Sequence, residues 1–83
     1  MIEFIREVKL SDRITYIYNL NQKVKLLDRI NPVKYIIIDE NLANGKIELH
    51  AGYYLGGKHR RKCSVKHFDS IEESLEYVRS KMK

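Results

Sequence analysis

The chain has one cysteine, one proline and four glycines in 83 residues. It also has no apolar run approaching the length of a membrane span. Each scarcity excludes something. With Cys63 alone there can be no intrachain disulfide and no thiolate metal cluster, which fits a reducing cytoplasm. The opening MIEFIREVKL places acids among its apolar residues and lacks the long apolar core of a signal peptide. A cytoplasmic location without membrane contact is therefore expected. The single proline, Pro32 in RINPV, marks a loop between two halves. No low-complexity or Pro/Gly/Ser-rich linker divides the chain, so residues 1–83 read as one small domain. A domain of this size buries a modest fraction of its surface, which favours a binding face over a deep catalytic cleft.

What is abundant is charge of one sign. Hydrophobic residues make up 43% and charged residues 33%, a composition that folds rather than one that stays disordered. The net charge of +5 and a pI near 9.4 favour an acidic partner. The cations crowd into YYLGGKHRRKCSVKHF, residues 53–68, where Lys58, Arg60, Arg61, Lys62 and Lys66 surround two glycines. Such cations can instead protect an exposed sheet edge from aggregation.

The N-terminal half alternates. Ile2, Phe4, Val8 and Leu10 share one parity, with Arg6 the exception, and Ile14, Tyr16, Tyr18 and Leu20 continue it. Period two favours strands. A helix over residues 12–30 is the rival, and its apolar positions would point in nearly every direction.

In the second half, Asn44-Gly45 predicts a two-residue type I′ hairpin. That turn pairs Leu42 with Ile47, Glu40 with Leu49, Ile38 with Ala51 and Ile36 with Tyr53. A three-residue loop at 56–58 then sets Leu49 opposite Val65 and Ala51 opposite Cys63 on the apolar face. Lys46, His50, Tyr54, Arg60, Lys62 and Lys66 gather on the other face, with Lys58 and Arg61 near the turn. Glu48, Asp39 and Ile37 share that face, and the N-terminal strands are candidates to cover part of it.

Ser70-Ile71-Glu72-Glu73 is a capping box, and Arg79, Lys81 and Lys83 suit the far end of a helix. Ile71, Leu75, Val78 and Met82 form one stripe. Burying it against the sheet is worth on the order of 1.5 to 3 kcal/mol per side chain before entropy. The expected fold is α+β: an antiparallel, mostly meandering sheet with one C-terminal helix on its apolar face.

Catalytic signatures are weak. Cys63 faces the core in this register while His50 faces away, so no nucleophile and base meet. His50, His59 and His67 with Asp39 or Asp69 match no standard metal-ligand spacing and are expected to diverge by face. A metal-free ribonuclease could use His50, Tyr54, Arg60 and Lys62, yet no spacing is diagnostic of it. Gly56-Gly57 lies between strands and serves as a turn rather than a phosphate loop. No catalytic residue, cofactor or metal is assigned. The expectation is a non-enzymatic nucleic-acid-binding protein using Lys46, His50, Tyr54, Lys58, Arg60, Arg61, Lys62 and Lys66, with cations and tyrosine interleaved. The alternative is a small interaction or inhibitor module that binds an acidic protein surface. Exposed sheet edges would also permit a homodimer.

Residues 44–83, NGKIELHAGYYLGGKHRRKCSVKHFDSIEESLEYVRSKMK, resemble the small N-terminal DNA-binding domains of phage and conjugative-transposon integrases of the tyrosine recombinase type. The matching features are Gly56-Gly57-Lys58, Arg60-Arg61-Lys62, Phe68 and Ser70 to Glu73. The resemblance implies a three-stranded antiparallel sheet backed by a C-terminal helix, with the sheet laid in the major groove. DNA is then favoured over RNA, and a phage or mobile-element origin is implied. The first 33 residues have no counterpart in that pattern, and nothing corresponds to a catalytic recombinase domain.

Overall fold

The computed structural model describes residues 1–27, 32–51 and 64–82. Five strands and one helix follow in order: β1 (Glu3–Lys9), β2 (Arg13–Val24), β3 (Val33–Asn41), β4 (Ile47–Ala51), β5 (Ser64–Phe68) and α1 (Ile71–Lys81). The sheet order is β1-β2-β3-β4-β5 and every neighbouring pair is antiparallel. The α+β meander with a C-terminal helix is thus the fold. Among the described residues no helix is long and apolar enough to cross a membrane.

Period two wins over the helix in residues 13–24, and two irregularities refine it. In β1 the register shifts between Phe4 and Arg6, so Phe4 pairs with Tyr18 while Val8 pairs with Thr15. The bulge puts Phe4 and Val8 on opposite faces, which is why Arg6 broke the parity. In β2 the pairing runs Asn19 to Tyr35 and resumes at Val24 to Val33, so four residues oppose Lys34 alone. Asn21 takes φ 60° there, with its backbone N–H donating to the Asn19 side chain at 2.8 Å. The detour brings both Leu20 and Val24 into the core. β2 lies alongside β3 and β1 alongside β2, so the N-terminal strands extend the sheet edge to edge instead of covering the face expected to be basic.

The β3–β4 turn is longer than Asn44-Gly45 alone implies. Glu40 pairs with Ile47, Ile38 with Leu49 and Ile36 with Ala51, two residues away from the expected register. The Asn41 carboxamide accepts from Ala43 N–H at 2.8 Å, Gly45 N–H donates to Asn41 C=O at 2.8 Å, and Asn44 Oδ1 accepts from Lys46 N–H at 2.8 Å. These local bonds stabilise a four-residue loop in which Gly45 alone supplies the left-handed conformation, at φ 73°. A shift of two preserves the faces.

The β4–β5 register differs by one, and that inverts a strand. Leu49 pairs with Lys66, His50 with Val65 and Glu48 with His67, in place of Leu49 with Val65. Val65 is consequently 43% exposed. Phe68 instead faces the helix, its ring 5.6 Å from that of Tyr77. A large aromatic one turn ahead of α1 outweighs a valine in setting the register, because its apolar area is greater. Ala51 likewise pairs with Ser64 in place of the expected Cys63, by the same shift of one; the expected 56–58 loop lies outside the described residues.

Helix α1 begins as its sequence predicts, with the Ser70 hydroxyl accepting from Glu73 N–H at 3.2 Å. Leu75 and Val78 are buried, and Ile71 and Met82 pack on the same core at its margin. Ser74 is also fully buried, satisfied by donating to Ile71 C=O at 2.7 Å. The core beneath holds Leu20, Ile36, Ile38, Leu49 and Ala51, each 0% exposed. Glu40 is an acid on this side, and the Tyr16 hydroxyl donates to it at 3.1 Å. Burial, then the Glu40 hydrogen bond, pushes the Tyr16 phenol up to about 12.

The register can be tested by stability. Phe68→Ala should cost about 2 kcal/mol in urea unfolding, whereas Val65→Thr should stay within about 0.5 kcal/mol. The pH dependence has a definite sign. A phenol whose folded pKa is raised contributes stability that is intact below about pH 10 and is lost as pH climbs toward 12. Tyr16→Phe should therefore flatten the alkaline limb of a thermal-stability profile, while losing about 1 kcal/mol at neutral pH with its hydrogen bond.

Candidate functional site

Burial runs without a break through Ile36, Ile37, Ile38 and Asp39 in β3. Alternation sends Ile37 and Asp39 to the face away from α1, so both faces of this strand are shielded from water. Ile17 at 2% and Thr15 at 4% exposure are their buried neighbours on β2. Asp39 is 3% exposed. A carboxylate this deep must be compensated, since burying it alone costs several kcal/mol.

Compensation comes from the strands on either side, β2 and β4. Thr15 donates its hydroxyl to Asp39 Oδ1 at 2.6 Å from β2. On the second oxygen, Arg13 Nη1 stands 3.7 Å away and His50 Nε2 3.2 Å away. Glu48 Oε1 lies 3.4 Å from the same His50 nitrogen, and its other oxygen is 3.4 Å from His67 Nε2 on β5. Arg13 is also tied to Asp12 at 3.3 Å, and that hydrogen bond first, then the acidic neighbourhood, holds its pKa above the ordinary arginine value. Asp12, Arg13, Asp39, Asn41 and Glu48 line a cavity of about 160 Å³ at this edge.

Of the residues expected to form a basic surface, His50 is half-buried within this cluster and Lys46 is exposed at the start of the same hairpin arm. Lys66 does not join them. It lies on the α1 side, its ammonium 5.7 Å from the ring centres of both Phe68 and Tyr77. Tyr54, Lys58, Arg60, Arg61 and Lys62 lie outside the described residues. The one-residue inversion of β5 that removes Lys66 brings His67 onto the His50 face, where the two histidines were expected to diverge. Sequence reasoning missed this cluster. The signal available to it was Glu48-Leu49-His50, whose i, i+2 spacing puts a carboxylate and an imidazole on one face of a strand.

No protein-family model, curated protein or solved structure matches the chain.

Removing the buried carboxylate should be costly because Thr15, Arg13 and His50 all lose a partner. Asp39→Ala is expected to destabilise by roughly 3 kcal/mol in equilibrium unfolding, Thr15→Val by about 1 kcal/mol, and Asp12→Ala by little, as an exposed ion pair should.

Proposed function

We propose that this protein is a non-enzymatic nucleic-acid-binding module whose contact segment is the basic connection between β4 and β5. The observation that supports this is the distribution of charge. Residues 49–68 hold five of the sixteen lysines and arginines, all three histidines and none of the eleven acids. The rest of the chain is electrically balanced, so this one span carries the whole net charge of +5.

Among the described residues, the acids in contact with this span meet its histidines. Asp39 and Glu48 contact Arg13, His50 and His67, and Glu76 pairs with Arg79 at 2.7 Å. Ala51 and Ser64, which bracket residues 52–63, are paired across β4 and β5. The cations Lys58, Arg60, Arg61 and Lys62 therefore belong to a connection rooted at one point on the sheet, with Tyr53 and Tyr54 beside that root in sequence. Cations hold phosphates and rings touch bases or sugars, a combination suited to a polyanion whatever its sequence. With Lys66 on the helix side and His50 held among carboxylates, Lys58, Arg60, Arg61 and Lys62 carry the binding, and Lys46 is peripheral. Resemblance to integrase N-terminal domains favours duplex DNA among the ligands.

The test is fluorescence anisotropy against random duplex DNA, single-stranded DNA and duplex RNA at about 50 and 200 mM salt. Micromolar or tighter binding is expected, weakening by at least about tenfold between those salts. The double variant Arg60→Glu/Lys62→Glu should remove it, and Lys66→Glu should change it less than about threefold. Absence of binding to all three at the lower salt would overturn the proposal in favour of an acidic protein partner.

A further inference from the structure

Asp39 and Glu48 are direct cross-strand partners on one face of the sheet. Like charges placed opposite each other in an antiparallel pair repel, and the buried position of Asp39 weakens solvent screening. A positive species between them would convert that repulsion into binding. His50, two residues along from Glu48, brings a nitrogen ligand into the same space: one ligand atom from each of Asp39, Glu48 and His50 falls within 4.8 Å of the others.

Two of the three spacings, those from His50 to each carboxylate, suit a coordination polyhedron, and the third is within 4.8 Å. A divalent transition metal bound at about 2.1 Å by nitrogen and oxygen in tetrahedral geometry separates its ligands by about 3.4 Å. His50 Nε2 stands 3.2 Å from Asp39 Oδ2 and 3.4 Å from Glu48 Oε1. The outer contacts match as well. Thr15 holds the other oxygen of Asp39 at 2.6 Å, and His67 approaches the other oxygen of Glu48 at 3.4 Å, so each carboxylate is oriented by a partner beyond the ligand atom.

We infer that Asp39, Glu48 and His50, three ligands among the described residues, form a binding site for a first-row divalent transition metal such as Zn²⁺. The imidazole donor selects this class over Mg²⁺ and Ca²⁺, which prefer all-oxygen shells. Arg13, 3.7 Å from Asp39, is the competing cation. Its displacement accompanies loading, so shortening it should strengthen binding. The inference is independent of nucleic-acid recognition, since none of its three ligands lies between residues 52 and 63.

Calorimetry with Zn²⁺ on chelator-treated protein, and Co²⁺ absorption spectroscopy, test it directly. One equivalent should bind with Kd of about 10 µM or tighter. Glu48→Gln and His50→Ala should each weaken binding at least about tenfold, and Arg13→Gln should tighten it about threefold. Glu48 is half-exposed, so Glu48→Gln keeps the fold, which far-UV circular dichroism would verify. Bound Co²⁺ should give the intense visible bands of a low-coordinate site, without a thiolate charge-transfer band in the near ultraviolet. No binding at about 100 µM metal, binding undiminished in Glu48→Gln and His50→Ala, or a thiolate band assigning the ion to Cys63 would each overturn the site.

Discussion

A carboxylate placed in the middle strand of the sheet, nearly shut off from water, sets the terms for the rest of this molecule. Asp39 is tolerable only because β2 supplies Thr15 and Arg13 while β4 supplies His50. Those contacts fix how β2, β3 and β4 lie against one another, since sliding any strand by one residue would carry the partners to the other face. The hydrophobic core under α1 supplies most of the driving force through Ile36, Ile38, Leu49 and Val78. The polar face supplies the register.

The two faces divide the labour. On the α1 side a capped helix covers aliphatic side chains, and Glu40 at its edge is bonded to a tyrosine hydroxyl. On the other side, past the 42–45 turn, Asp39 contacts His50, His50 contacts Glu48 and Glu48 contacts His67. The basic span departs from the opposite end of the same β4–β5 pair, beyond Ala51 and before Ser64.

Much of this was legible in the sequence wherever a residue type has one dominant local consequence. Ser70 with Glu73 marked the start of α1, the stripe of Leu75 and Val78 marked its buried side, and alternation in 13–24 marked a strand. Registers were harder. Asn44-Gly45 located its turn, but side-chain bonds from Asn41 and Asn44 lengthened the loop, and turn chemistry of that kind depends on three residues at once. The β5 strand inverted because Phe68 and Val65 made competing demands on one face, and a pattern of apolar residues gives no weight to a ring that finds Tyr77 across the helix. The polar cluster inherited that difficulty: Glu48 and His50 are visible as neighbours in sequence, but Asp39, Thr15 and His67 join them only through pairing across four strands.

The β4–β5 register is therefore the point on which the account turns, because it decides whether His67 stands with Glu48 and His50 or beneath the helix. Cross-strand nuclear Overhauser effects between backbone protons of β4 and β5 measure it without perturbing the chain. The structure predicts contacts linking Glu48 with His67 and His50 with Val65. Contacts that instead pair Leu49 with Val65 would contradict it and carry His67 away from Glu48 to the helix side.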